Sequence, residues 1–331
     1  MSLERLNVME IMPDENYCLF GAEVLLKRLN ALEQEIEGVC RAEDIECIHR
    51  MRVASRRLRS AFALFEECFP EKDVKKWKKQ IRSVTRTLGL ARDIDVQIDF
   101  LQELLNSLTT TRHVSGIKRL RLRLKQRREK IQPKVISAME NIKNNGVLNE
   151  IAESALIIRN VAQMHNKDDH SPQVYERAYV AISFQLEDFL TYERYVYQPD
   201  KINELHAMRI SSKRLRYTME IFSSLYDDEL EQPIKVAREF QTILGDIHDC
   251  VVWIEFLPLF FEQEKACTLE YFGNTRSFSR LKTGILYLQE ERKKQQAERY
   301  KEFVNYWKQT QDQDVWGILL KHILHHISKK E

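Results

Sequence analysis

The sequence predicts an all-helical protein built from two copies of one helical unit. Only 9 Gly and 7 Pro occur in 331 residues, so long stretches lack residues that break helices. Apolar residues recur along these stretches at the spacing of amphipathic helices. The chain also contains one eleven-residue pattern twice, HRMRVASRRLR at 49–59 and HAMRISSKRLR at 206–216. Such self-similarity indicates two copies of one supersecondary unit.

The first elements follow a lead-in over residues 1–13. An amphipathic helix is expected over 16–41 because its apolar residues share one face. The first copy of the repeated pattern lies in a helix over 46–68, which ends before Pro70. A third helix is predicted over 72–88. Gly89 follows it, at a point where this helix either stops or passes close to a neighbour.

Asp93 could cap a fourth helix over 94–105 or could pair with an arginine and aim it; we expect capping. The run KRLRLRL at 118–124 alternates like a strand. Over the wider window 117–142, however, apolar residues follow a helical spacing, so we predict a helix. A polar segment at 160–171 breaks this pattern and joins the two halves.

The second half repeats the plan. Helices are expected over 172–197 and 202–226, and the second of these carries the second copy of the pattern. Shorter segments holding Lys235, Arg238 and the residues 244–249 follow. Further helices are predicted over 251–263 and 278–309 and from Val315 onward. The predicted units are residues 1–159, a linker over 160–171, and residues 172–331.

Each copy of the pattern divides into a basic and an apolar face when wound as a helix. The histidine and three cations fall within about 80° of one another and span about 15 Å along the helix. A single such face is usually solvated, but repetition of the cation positions favours an anion site. Arg57 and Arg214 also repeat, but they lie off this face and serve packing or salt bridges. The two ladders are His49, Arg52, Arg56 and Arg59, then His206, Arg209, Lys213 and Arg216.

Further basic rows accompany the ladders although the net charge is only +2. A nearly neutral chain with concentrated basic faces predicts a bounded anion site and not a globally basic surface. The additional rows are Lys79, Arg82 and Arg86, then Arg119, Arg123 and Arg127, and finally Lys235 and Arg238.

The two histidine–arginine helices are each followed by a Leu-Gly segment ending in aspartate, LGLARD at 88–93 and LGDIHD at 244–249. This doubled pattern resembles the CHAD family, whose name abbreviates conserved histidine α-helical domain, and the resemblance covers about residues 17–307. It implies two pseudo-symmetric four-helix bundles around a central basic groove or pore, and binding of inorganic polyphosphate. Both ladders match the family pattern, with Lys79, Arg82, Lys235 and Arg238 in the following basic helix. Lys213 replaces an arginine, which keeps the charge but loses the planar fork.

The chemistry of the ladders agrees with a linear polyanion as the partner. A row of cations can neutralise such a chain continuously and gain free energy by counterion release. Arginine binds phosphate oxygens through paired hydrogen bonds. A neighbouring phosphate favours imidazolium, so His49 and His206 would act as charged donors. Hydrogen bonding at the helix start is the alternative role for both histidines.

Single-stranded nucleic acid is the first alternative partner. Proteins that bind it interleave stacking aromatics with cations, whereas Phe62, Phe65 and Phe222 lie opposite the ladders. No helix-turn-helix or zinc spacing supports duplex recognition.

Metal-dependent hydrolysis of polyphosphate or a phosphate ester is the second alternative, and it needs a metal or a positioned base. The cluster His322, His325 and His326 lacks a nearby carboxylate and reads as a solvated helix end. Capping and dipole effects account for Asp93, Asp95 and Asp99 more simply than Mg²⁺ does. Many CHAD relatives carry a hydrolase domain with a Glu-x-Glu-x-Lys signature; Glu33, Glu35 and Glu37 alternate here, but no lysine follows. We therefore expect binding without catalysis, with no cofactor and no metal.

A cytoplasmic location is expected. The start of the chain lacks a basic region followed by an apolar core, so no export signal is predicted. The most apolar run, 251–261, contains Glu255 and Pro258 and is too short to span a bilayer. Six dispersed cysteines without metal spacing predict reduced core residues. They are Cys18, Cys40, Cys47, Cys68, Cys250 and Cys267.

Overall fold

The computed structural model describes residues 14–41 and 45–328, and this part of the chain is all helical, as predicted. The expected lead-in over 1–13 lies outside the described residues. The ten α-helices of the described part are α1 Glu15–Arg41, α2 Ile45–Leu64, α3 Glu71–Ser107, α4 Thr111–Asn144, α5 Val147–Met164, α6 Pro172–Leu190, α7 Ile202–Phe222, α8 Glu231–Phe272, α9 Ser279–Asp312 and α10 Val315–Ser328.

Local chemistry explains several helix ends. The backbone N–H of Tyr17 donates to Asp14 Oδ1 at 2.8 Å, which satisfies a free donor in the first turn of α1. Pro172 begins α6, at a position where its missing N–H would have no partner. Gly146 precedes α5 and Gly273 follows α8, and both have positive φ, which only glycine adopts without strain.

The long helices α3 and α8 differ from the prediction. The predicted helices over 72–88 and 94–105 form one continuous helix, so Gly89 does not end a helix and Asp93 does not cap one. The segments between Glu231 and Phe272 are likewise one helix. A glycine within a helix costs about 1 kcal/mol relative to alanine, but Leu88 and Ala91 on either side are fully buried, and this tertiary packing keeps the helix intact.

Equivalent helices of the two halves pack in the same order. In the first half α1 contacts α2 and α5, α2 contacts α3, and α3 contacts α4. In the second half α6 contacts α7 and α10, α7 contacts α8, and α8 contacts α9. The predicted linker is shorter than expected, since α5 continues to Met164 and the chain is non-helical over 165–171.

The main hydrophobic core joins the halves. The rings of Phe20 and Phe222, from opposite halves, stack with centroids 5.5 Å apart, and Phe65 meets Phe222 edge-on at 6.2 Å. The three side chains are buried, as expected for Phe65 and Phe222 on the apolar faces opposite the ladders and for Phe20 on the apolar face of α1. Because one core includes both repeats, each half depends on the other for burial of its apolar surface.

A second core lies where the ends of α3, α4, α8 and α9 come together. Here α4 and α9 cross at Gly116 and Gly284. A Cβ atom on Gly116 would collide with the carbonyl oxygen of Leu281, and one on Gly284 would collide with that of His113. The buried side chains of this second core are Ile94, Leu101, Ile117, Leu120, Leu124, Trp253, Leu257, Phe260, Ile285 and Leu288.

The cysteines require a correction. Cys18 and Cys68 form a disulfide with their Cα atoms 5.3 Å apart, because the start of α1 packs against the turn between α2 and α3. Cys267 is exposed and not a core residue, whereas Cys47 and Cys250 are buried free thiols. Cysteine usage therefore does not support a cytoplasmic location. Among the described helices, none combines the length and apolar character needed to span a bilayer.

Candidate anion-binding site

The two ladder helices, α2 and α7, contact each other, and their basic faces meet. Their apolar faces are anchored by fully buried residues such as Met51 and Met208. Cations from the two repeats lie close enough for their charges to interact. Burial and the charges of Arg56 and Arg209 lower the pKa of Lys213 to about 6. We call these residues the cationic cluster: Arg52, Arg56, Arg209, Lys213 and Arg216.

The Leu-Gly segments of α3 and α8 support the cluster in the same way in both repeats. A Cβ atom on Gly89 would lie 3.4 Å from Arg52 Nε, and one on Gly245 would lie 3.3 Å from Arg209 Nε. Each glycine therefore lets a guanidinium lie directly against the helix. One turn later, Asp93 Oδ1 lies 3.7 Å from Arg52 Nη2, so this aspartate pairs with an arginine and the expected capping role is wrong.

Several donors in the cluster are buried without an acceptor among the described residues. These donors belong to both repeats. A guanidinium N–H group that is removed from water and has no acceptor costs free energy. Phosphate oxygens would satisfy them with charge-assisted bonds. The atoms are Arg52 Nε, Arg56 Nη2, Arg209 Nε and Arg216 Nε.

The histidines at the ladder starts are electrostatically disfavoured as cations. Burial and the charge of Arg92 lower the pKa of His49, and burial and Arg209 lower that of His206. His248, which the sequence reasoning did not select, lies against His206 with ring centroids 4.0 Å apart, and burial and His206 lower its pKa to about 4. Nδ1 of His206 is buried without a partner among the described residues, so a helix-start hydrogen bond is not seen at this nitrogen.

A cleft of about 630 Å³ opens beside the cationic cluster, between α3, α8 and α9. Arg292 lies over the ring of Phe100 at 4.1 Å, and Arg299 Nε pairs with Asp246 Oδ2 at 3.2 Å. Arg92, Arg292 and Arg299 were not predicted as site residues because they lie outside the repeated ladders. The polar residues that line the cleft include His49, Arg52, Arg92, Asp93, Arg209, Asp246, His248, Asp249, Arg292, Gln295 and Arg299.

Other predicted site residues flank the cluster. Burial and the nearby charge of Arg82 lower the pKa of Arg59, which places these two cations together on α2 and α3. Lys79, Arg82 and Arg86 are exposed along α3. Lys235 and Arg238 are exposed on α8, where Arg238 Nη2 lies 3.9 Å from Glu220 Oε1.

The row Arg119, Arg123 and Arg127 lies elsewhere. Arg119 Nη1 is 3.3 Å from Glu264 Oε2, and Arg123 also pairs with this carboxylate, whose side chain is 5% exposed. Arg127 is exposed beside the second core. The start of α4 packs along α9 and shares the second core with side chains of α8, and it does not pack along the ladders, so the structure does not bring this row into the cationic cluster.

Two of the residues considered as metal ligands, Asp95 and His326, have other partners. Arg128 Nε donates to Asp95 Oδ1 at 2.7 Å, and His326 Nε2 contacts Glu229 Oε2 at 2.9 Å. His326 therefore ties α10 to the turn before α8 instead of forming a solvated end. Within the described residues, one group of side chains lies close enough to share an ion, Asp168, Asp169 and His170, in the connection between α5 and α6.

Comparisons with known proteins agree with this architecture. Two uncharacterized proteins of Mycobacterium tuberculosis, MT2285 of strain CDC 1551 and Rv2226 of strain H37Rv, are each 27% identical over 250 residues. This region is 76% of the chain and 45% of either relative, so the chain spans less than half the length of the curated relatives it matches.

Two solved structures share the fold. The crystal structure of the CHAD domain from the plant Ricinus communis has a TM-score of 0.61 at 21% identity, covering 87% of this chain and 90% of that one. PptA from Streptomyces chartreusis has a TM-score of 0.53 at 13% identity, covering 87% and 98%. The family model of the CHAD domain matches residues 23–258, which is more than half of the chain. The chain therefore belongs to the CHAD domain family.

Proposed function

We propose that this protein binds inorganic polyphosphate, a linear polyanion, without acting on it chemically. The observation that carries the proposal is the meeting of two basic helices from different repeats in one cationic cluster. Burial, together with the charges of Arg56 and Arg209, lowers the pKa of Lys213 in this cluster to about 6. Like charges held together in a partly buried site destabilise the fold unless an anion lies between them.

The shape of the basic surface favours an extended ligand. The cations follow α2 and α7 over about three turns of each helix, and Arg59, Arg82 and Arg238 continue the surface on the flanks. A chain with one charge at each phosphate can contact several of these side chains in succession. Release of its counterions then adds to the affinity.

The aromatic residues support polyphosphate over single-stranded nucleic acid. Phe62, Phe65 and Phe222 are fully buried in the core and cannot stack on bases. Tyr217 is also buried, between the guanidinium groups of Arg56 and Arg216 at 5.6 and 4.7 Å from its ring centre. Competition between polyphosphate and single-stranded RNA of equal total charge tests this choice: we expect polyphosphate to displace the RNA, and the reverse result would favour nucleic acid.

Charge reversal at the paired arginines tests the proposed site. In Arg52→Glu/Arg209→Glu, two central cations become anions, so polyphosphate binding measured by calorimetry should fall at least a hundredfold, or about 2.7 kcal/mol. The control Lys282→Glu/Lys321→Glu makes the same change in net charge at exposed positions outside the cleft and should bind nearly as the original protein does. Unchanged affinity in a folded Arg52→Glu/Arg209→Glu protein would reject the site.

The absence of catalysis is a separate part of the proposal. Polyphosphate incubated with the protein and Mg²⁺ or Mn²⁺ should release no phosphate above the rate without protein. Release that disappears in Arg52→Glu/Arg209→Glu would instead identify an enzyme.

A further inference from the structure

Glu220, on the last turn of α7, is a single carboxylate surrounded by arginines from four helices. Its Oε2 lies 3.2 Å from Arg57 Nη2, and its Oε1 accepts a hydrogen bond from Arg216 Nη1 at 3.2 Å. Arg238 Nη2 lies 3.9 Å from the same Oε1. Arg28 of α1 is close enough for its charge to interact with this carboxylate. We call these residues the four-arginine cluster: Arg28, Arg57, Arg216 and Arg238.

One carboxylate cannot satisfy this cluster. Four guanidinium groups face one negative charge; Glu220 is only 12% exposed and Arg216 is buried with it, whereas Arg57 and Arg238 also reach solvent. The Nε atoms of Arg28, Arg57 and Arg216 are buried and have no acceptor among the described residues. A phosphoryl group carries more acceptor oxygens than a carboxylate and suits the guanidinium fork equally well. The cluster therefore has the composition of a phosphate subsite.

The four-arginine cluster begins where the cationic cluster ends. Arg216 belongs to both, since its charge interacts with Arg56 and Lys213 and its Nη1 donates to Glu220. The equivalent of Glu220 in the first repeat, 157 residues earlier, is Ala63. A carboxylate at this position is therefore not needed to build the repeated unit.

We propose that the four-arginine cluster is a second anion subsite at the end of the polyphosphate track, and that Glu220 occupies it in place of a phosphoryl group. This inference rests on the proposed function. A polyphosphate long enough to extend past Arg216 displaces the Glu220 carboxylate and binds the other three arginines of this cluster. A short polyphosphate binds only the cationic cluster. Glu220 thereby sets how strongly the protein favours long chains over short ones.

Removing the charge of Glu220 tests the subsite. Dissociation constants of Glu220→Gln for tripolyphosphate and for long-chain polyphosphate are compared at several salt concentrations. We expect the preference for the long chain to rise about tenfold, or 1.4 kcal/mol. In a plot of log affinity against log salt concentration, the slope for Glu220→Gln with the long chain should become steeper by about 0.7 for each arginine newly neutralised. Glu239→Gln removes an exposed carboxylate beside Arg238 on α8 and should leave the preference unchanged.

A second variant separates this idea from a purely structural role of Glu220. Arg28→Gln removes a cation of the subsite while Glu220 keeps three partners, and it should lower the preference for the long chain. If Glu220 only holds α7 in place, Glu220→Gln will lower the affinity for both chain lengths together with the unfolding temperature, and the subsite is rejected. An equal gain for both lengths also rejects it. Failure of the original protein to bind polyphosphate of either length would overturn the proposed function itself.

Discussion

At the scale of single residues, the site is defined by cations whose surroundings oppose their charge. Lys213 stands where the repeated pattern has arginine in the first copy, Arg56. A lysine in this position can lose its proton, whereas a guanidinium stays charged. Burial and the charges of Arg56 and Arg209 lower the pKa of Lys213 to about 6, so its amine is mostly neutral at pH 7 when no anion is bound. The identity of this residue therefore couples anion binding to proton uptake.

Polyphosphate affinity should fall as the pH rises above about 6. A bound phosphate raises the pKa of Lys213, so binding takes up a proton between about pH 6 and the pKa of the complex, and the affinity falls by at most tenfold per pH unit. Titrations above about pH 8 avoid protonation of His49, His206 and His248, whose pKa values are lowered by burial. Lys213→Arg, which keeps its charge, should flatten this dependence. An equally steep dependence in Lys213→Arg would show that another group takes up the proton.

At the scale of elements, two pairs of glycines in equivalent helices have different structural roles. Gly89 and Gly245 lie in the middle of α3 and α8 and face arginine side chains, which can move. Gly116 and Gly284 face backbone carbonyl groups where α4 crosses α9, and the backbone cannot move without separating the helices. The first pair shapes the cationic cluster, and the second pair holds the second core together.

Alanine substitutions should separate these two roles. Gly245→Ala gains up to about 1 kcal/mol of helix stability but displaces Arg209, so we expect unchanged or higher unfolding free energy with severalfold weaker polyphosphate binding. Gly284→Ala should lower the unfolding free energy by about 3 kcal/mol, because its Cβ collides with backbone. Denaturant titrations and binding measurements on both variants test this contrast. Equal destabilisation of the two would contradict it.

At the scale of the whole molecule, the main core holds the two repeats together and thereby forces their basic faces to meet. Phe20 and Phe65 from one half pack on Phe222 from the other, and Phe65 and Phe222 follow the last cations of the two ladders along the chain. The free energy gained by burying such apolar surface opposes the repulsion within the cationic cluster. Stability without an anion and affinity for one are therefore expected to change in opposite directions.

Lys213→Met should stabilise the protein in the absence of polyphosphate. The folded pKa of Lys213, about 6, lies below its unfolded value, so the unfolded chain binds the extra proton and the stability of the original protein rises with pH across this window. The gain in Lys213→Met should reach about 1 kcal/mol or more near pH 7 and shrink toward pH 10. Polyphosphate at a hundred times its dissociation constant should add about 2.7 kcal/mol to the original protein. A less stable Lys213→Met protein would argue that the lysine is already well accommodated.

The sequence by itself determined the all-helical class, the two equivalent basic helices and their family, because periodicity and repetition are properties of local segments. It also marked Gly89 as a helix end or a close approach to a neighbour, and the structure shows the close approach, to Arg52. For Asp93 it favoured capping over the arginine pair that the structure shows.

Only the tertiary structure decided which basic rows meet. Arg123 looks like a ladder residue in the sequence, yet it pairs with Glu264, 141 residues away, because the start of α4 shares the second core with α8. Arg28 and Glu220 carry no repeated pattern, yet the folded chain brings their charges together. Such pairings depend on how distant helices pack, and the spacing of residues along one helix does not encode them.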